Sequence, residues 1–123
     1  MTNKVLNPTQ LSELAINALQ DLKGKDIVKL DLREIDSAVT DFFIIATGTS
    51  DRHVQSLSDS VLATMKKDAE EFPITKEGLA EGEWSLVDYG SVVVHVFQQT
   101  QRDFYRLESL WGDAPSTTYA DVA

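Results

Sequence analysis

The chain has 123 residues, no cysteine, and 20 acidic against 11 basic side chains, a formal net charge of -9. That length makes one domain and can bury roughly two-thirds of its unfolded surface without a staple. The charge argues against phosphate-backbone binding as the main activity, and the lack of cysteine removes any thiolate nucleophile or Cys-ligated metal.

The opening MTNKVLNPTQ lacks the apolar core of a signal peptide, and the longest apolar run is only Phe42 to Ala46, so a soluble cytoplasmic protein is expected. Asn7, Pro8 and Gln10 read as a helix start with a capping box. Leu11, Leu14, Ala15, Ala18, Leu19 and Leu22 give that helix one apolar face, and Gly24 suits a left-handed C-cap. In DIVKLDL, Val28, Leu30 and Leu32 alternate with Lys29 and Asp31, the pattern of a strand with one wet face.

Thr40 to Val61 organises the chain. Phe42 to Ala46 is a strand covered on both faces, and Thr47 to Ser50 is a turn in which Gly48 is free to adopt positive φ. Ser50 caps a helix from Asp51 to about Glu71, with Val54, Leu57, Val61, Leu62 and Met65 on its apolar stripe. Pro73 bars continuation, and Phe72 to Gly82 reads as a loop. A hairpin follows, Glu83 to Asp88 and Ser91 to Phe97 around Tyr89-Gly90. Thr100 can cap a last helix, Gln101 to about Trp111, and Ser116 to Ala123 has no periodicity and reads as a mobile tail. The order predicts one mixed sheet flanked by helices, an α/β or α+β domain over residues 1–111 with a flexible tail over 112–123.

No chemistry-bearing motif is complete. The TGTSDRH turn lacks the Gly-Lys-Ser/Thr of a P-loop, and Asp51 opposes an anion at that helix start. A nucleotidyl transferase needs paired acids for its metals; Glu81-x-Glu83 is the nearest match and sits in a loop. His53 and His95 share no metal-ligand spacing with an acid and read as structural. The C-terminal third is different. Glu81 to Ala123 carries 7 acids and 2 bases. Positions 84–111 hold six of the ten aromatic residues, Trp84, Tyr89, Phe97, Phe104, Tyr105 and Trp111. Aromatic anchors with a charged rim suit a protein-binding patch. Phe97, Phe104 and Trp84 read as core, and Tyr89, Tyr105 and Trp111 as contact candidates.

TDFFIIATGTSDRHVQSLSDSV and WSLVDYGSVVVHVFQQTQRDFYRLESLW, with DLKGKDIVKLDL before them, closely resemble the ribosomal silencing factor (Iojap-like) family. The likeness runs from Leu11 to Trp111; Ser91 stands where the family pattern has an acid, and Gly112 to Ala123 lies outside that pattern. The resemblance implies a nucleotidyltransferase-like fold without catalytic acids, a non-enzymatic role and no cofactor or metal. It implies binding to the large ribosomal subunit through its ribosomal protein fourteen, which blocks joining of the small subunit and represses translation under nutrient limitation. It also implies a homodimer when free, with neither membrane nor sequence-specific nucleic acid as partner. The expected contact residues are Asp88, Tyr89, His95, Tyr105, Glu108 and Trp111. The alternatives are a large-subunit assembly factor and a small metal-dependent nucleotidyl transferase.

Overall fold

A computed structural model describes residues 6–122; the expected domain start at residue 1 and the last tail residue, 123, lie outside that range. Helix α1 (Pro8–Asp21) begins with the expected capping box, Asn7 and Gln10 bonding each other's backbone amides at 2.8 and 2.9 Å. Strands β1 (Lys25–Asp31) and β2 (Phe42–Gly48) follow, then α2 (Asp51–Ala69), capped by Ser50. Strands β3 (Thr75–Glu77), β4 (Trp84–Asp88) and β5 (Val92–Gln98) complete the middle of the chain. Helices α3 (Gln99–Tyr105) and α4 (Leu107–Leu110) and strand β6 (Ser116–Tyr119) end it.

The six strands form one mixed sheet in the order β3-β4-β5-β2-β1-β6. Only β2 and β5 are parallel neighbours. This is the predicted α/β architecture. The apolar run of β2 and the largely apolar, almost fully buried β5, interrupted by His95, occupy its centre because both their faces are covered. On one face, α1 and α2 pack over Ile27, Ile44, Ala46, Val87, Val92, Val94 and Val96. A second cluster, on the other face, gathers Val28, Leu30, Leu32, Ile45 and Phe97 under Phe43, Trp84, Leu107 and Trp111. Between α2 and β4, Ser58 Oγ donates to the Val54 carbonyl at 2.9 Å and accepts from Ser85 Oγ at 2.6 Å. Ser85→Ala removes that buried bond and is expected to cost about 1 kcal/mol, read as a melting-temperature drop of about 4 °C by calorimetry.

Several local expectations are corrected. The Lys29 face of β1 is not wet: it lies under α1, where Lys29 pairs with Glu13 at 2.8 Å and overlies the Phe42 ring. Lys23, not Gly24, takes the left-handed conformation after α1, with φ 60°. Gly24 and Gly48 are needed for room instead: a Cβ on Gly48 would stand 2.7 Å from Val54 Cγ2, and one on Gly24 3.1 Å from the Leu19 carbonyl oxygen. Helix α2 stops at Ala69, with Glu70 left-handed at φ 54°. The loop after it contains the short edge strand β3.

The last helix is not continuous. Gln98 is its N-cap, without a side-chain cap bond, rather than Thr100, and Arg106 at φ 51° breaks it into α3 and α4. The tail is also not structureless. Ser116 to Leu30 and Tyr119 to Ile27 bound an antiparallel ladder, so residues 116–119 extend the sheet beyond β1. An edge strand exposed on most of its surface needs no apolar alternation, which is why the sequence shows none there.

Candidate functional site

The sheet face opposite α1 and α2 is covered only by irregular structure and the short helices α3 and α4, and it carries the candidate site. Strand register builds it from three cross-strand rows: Leu30–Phe43–Val93–Asp88, Val28–Ile45–His95–Leu86, and Thr47–Phe97–Trp84. Side chains of one row lie on one face because strands alternate with period two. Partly exposed Phe43, Trp84 and Leu86 stand on this floor.

A chain of aromatic contacts crosses it. Trp111 meets Phe43 edge-on at 6.0 Å, and Phe43 meets His95 at 4.8 Å. Trp84 stacks on Phe97 at 4.9 Å and touches Tyr105 at 4.4 Å, and Tyr105 meets Phe104 edge-on at 5.0 Å. Such geometries add modestly to area burial and hold the rings in fixed orientations. Phe104 corrects the sequence reading: it is 78% exposed, not core.

The corner between α3 and α4 is tied down by Arg102. Its side chain is buried, yet it makes four hydrogen bonds. Nε and one terminal nitrogen grip the Glu108 carboxylate at 3.1 and 3.0 Å; the other reaches the Asp26 carbonyl at 2.7 Å and Thr47 Oγ1 at 2.8 Å. This bidentate pair holds the turn that presents Tyr105 on one side and Trp111 on the other. Beside it a cleft of about 500 Å³ opens towards β1 and β6, lined by Asp26, Arg102, Asp103, Arg106 and Tyr119 among others.

The six residues expected to make contact therefore separate. Tyr105 and Trp111 sit on the aromatic face with partial or full exposure. Asp88 ends a row of the same face, one carboxylate oxygen accepting from the Gly90 amide at 2.7 Å. His95 is beneath that face, 4% exposed, so it is floor rather than contact. Its Nδ1 accepts from Trp84 Nε1 at 3.1 Å, and burial lowers its pKa to about 4, so the ring is neutral near pH 7. Glu108 is turned onto Arg102. Tyr89 lies on the opposite, helix-covered side, buried in the main core. Phe43 is the contact candidate that the sequence reading missed. Its signal is parity: it follows inward-facing Phe42, so the two rings must lie on opposite faces of β2.

The strand-to-helix turn after β2 is filled from within. The Thr49 amide donates to His53 Nδ1 at 2.9 Å, His53 Nε2 reaches the Leu22 carbonyl at 2.8 Å, and the His53 amide is taken by Ser50 Oγ at 3.1 Å. Asp51 accepts from the Gln98 side chain. Two of the amides that could cradle a phosphate, those of Thr49 and His53, are thus already partnered, and the His53 ring is held within the turn. Among the described residues no three His, Cys, Asp or Glu side chains gather as a metal site. Among the described residues no helix is long and apolar enough to cross a membrane.

A family model described as ribosomal silencing factor during starvation matches residues 6–123. The chain belongs to the ribosomal silencing factor family. A ribosomal silencing factor of Chromobacterium violaceum is 46% identical over 103 residues, covering 84% of this chain and 83% of its own length. A crystal structure of a C. violaceum protein superposes with a TM-score of 0.83 at 44% identity, covering 87% of this chain and 88% of that one. A mouse protein named mitochondrial assembly of ribosomal large subunit protein 1 is 30% identical over 101 residues, covering 80% of this chain and 44% of its own length. In this chain the family match runs on through β6, so the C-terminal segment expected to lie outside the pattern is within the matched family region.

Proposed function

We propose that this ribosomal silencing factor binds the large ribosomal subunit through its ribosomal protein fourteen and, by occupying that place, keeps the small subunit from joining. Translation then falls when nutrients are short. The aromatic face is the observation that carries the reading. Partly exposed Phe43, Trp84 and Trp111 and exposed Tyr105 form one apolar platform, with Asp88 at its rim, on a chain of net charge -9. An acidic rim suits a basic ribosomal protein and repels bare RNA, which gives selectivity on the ribosome. Tyr105 and Trp111 are the anchors, Asp88 meets a partner cation, and His95 and Glu108 act from below by holding Trp84 and Arg102. Exclusion needs only firm placement, so the role is non-enzymatic and uses no cofactor. The protein works in the cytoplasm and is a homodimer when free.

Sucrose-gradient sedimentation tests this. Purified subunits saturated with the protein should stay apart, with the protein in the large-subunit fraction; normal association would end the proposal. Tyr105→Ala should weaken large-subunit co-sedimentation about tenfold while leaving the melting temperature nearly unchanged, since the ring is 47% exposed. The name of the mouse relative favours a second reading, help in assembling the large subunit. In that case cells lacking the protein accumulate incomplete large-subunit particles even in rich medium.

A further inference from the structure

One exposed apolar strip lies away from the aromatic face. Phe72 and Ile74, on either side of Pro73, are 64% and 73% exposed. They follow the end of α2 at Ala69 and lead into β3, the last strand of the sheet, whose outer edge pairs with no strand among the described residues. The Ile74 amide is fixed to the Asp88 carbonyl at 2.7 Å, and Ile74 Cδ1 reaches over Gly90. Pro73 limits the backbone between the two side chains, so both are presented with little conformational freedom to lose.

The strip is also acidic: Glu70, Glu71 and Glu77 flank it, with Lys76 the one base from Glu70 to Glu77. That charge points to a basic ligand here.

We infer that the Phe72–Ile74 strip and the open edge of β3 are a second docking surface, taking an extended, basic segment of a protein on the large ribosomal subunit. The inference rests on the proposed ribosomal role and adds a second point of attachment to it. Apolar side chains of the segment cover Phe72 and Ile74, and its cations meet Glu71 and Glu77. A second copy of this chain is a poorer occupant. A two-fold interface sets the same patch against itself, bringing the three glutamates of each copy together. A nucleic-acid strand is repelled by the same charges.

The test is co-sedimentation of the full chain with purified large subunits, with sedimentation equilibrium of the free protein alongside. A Phe72→Ser, Ile74→Ser double variant removes only exposed side chains; it should fold normally and bind about tenfold more weakly. Lys76→Glu, which makes the strip more acidic, should bind more tightly at low salt, a gain that a merely structural role would not produce. Unchanged affinity in the double variant, with the wild type binding normally, overturns this second surface and leaves the proposed function standing. A double variant that becomes monomeric yet binds the subunit normally assigns the strip to a second copy and also overturns it. Failure of the wild type to co-sediment overturns both.

Discussion

Arg102→Met should lower stability by about 3 kcal/mol and the melting temperature by about 10 °C. The substitution keeps the aliphatic stem but leaves Thr47 Oγ1 and the Asp26 carbonyl without their donor and Glu108 without its cation. The figure stays at the low end for a broken buried pair because the Glu108 side chain is 38% exposed and water can re-solvate it. Calorimetry measures the loss, and near-ultraviolet circular dichroism reports whether Trp84 and Trp111 lose their fixed surroundings. A melting temperature within 2 °C of wild type would mean that the corner holds without this residue, contrary to its four hydrogen bonds. The same geometry changes the meaning of a charge reversal at Glu108. Glu108→Lys places a cation against Arg102, so weaker subunit binding would come with a lower melting temperature. Tyr105→Ala, by contrast, should lose binding with little loss of stability.

Acidification should destabilise the protein through His95. The folded pKa is depressed to about 4 by burial, while the unfolded ring titrates near 6.5. Above pH 6.5 the ring is neutral in both states and costs nothing. Between pH 6.5 and 4 only the unfolded chain takes up the proton, so unfolding is favoured by about 1.4 kcal/mol per pH unit. The accumulated loss by pH 4 is about 3 kcal/mol, present at low pH and absent at neutral pH. Urea unfolding at pH 7, 6 and 5 measures the slope, and His95→Gln should remove this component. A wild-type stability that stays flat from pH 7 to 5 would contradict a neutral, buried ring. Subunit binding through the Trp84 face should hold down to about pH 5 and weaken only near pH 4, where the folded ring takes up its proton and Nδ1 can no longer accept from Trp84.

Much of the framework of the candidate site is legible in the sequence. The capping box at Asn7 and the Ser50 cap depend on residues three apart, and local hydrogen bonds realised both. The alternation in β5 put His95 with Phe97 and apart from Val92, Val94 and Val96, as the two clusters show. Aromatic enrichment points to the third of the chain that supplies most of the aromatic face, but exposure differs from the sequence reading in both directions. Tyr89 beside a turn is buried, and Phe104 on a helix is 78% exposed. A turn residue's depth depends on what packs beneath it, and in Tyr89's case that is the end of α2 and residues distant in the chain.

The sequence alone decided the elements whose signals are local: the double-covered β2, the caps and stripes of α1 and α2, the β4–β5 hairpin, and the acidic, aromatic character of the last third. Tertiary structure decided the rest, because the deciding contacts join residues far apart. The periodicity of Phe104, Leu107 and Trp111 suits one helix, yet Arg102 reaches 76 residues back to Asp26, and the chain turns at Arg106. Residues 116–119 carry no strand pattern, yet the open backbone edge of β1 makes them one. Such pairings lower free energy only once the partner strand is in place, so no window of neighbouring residues could announce them.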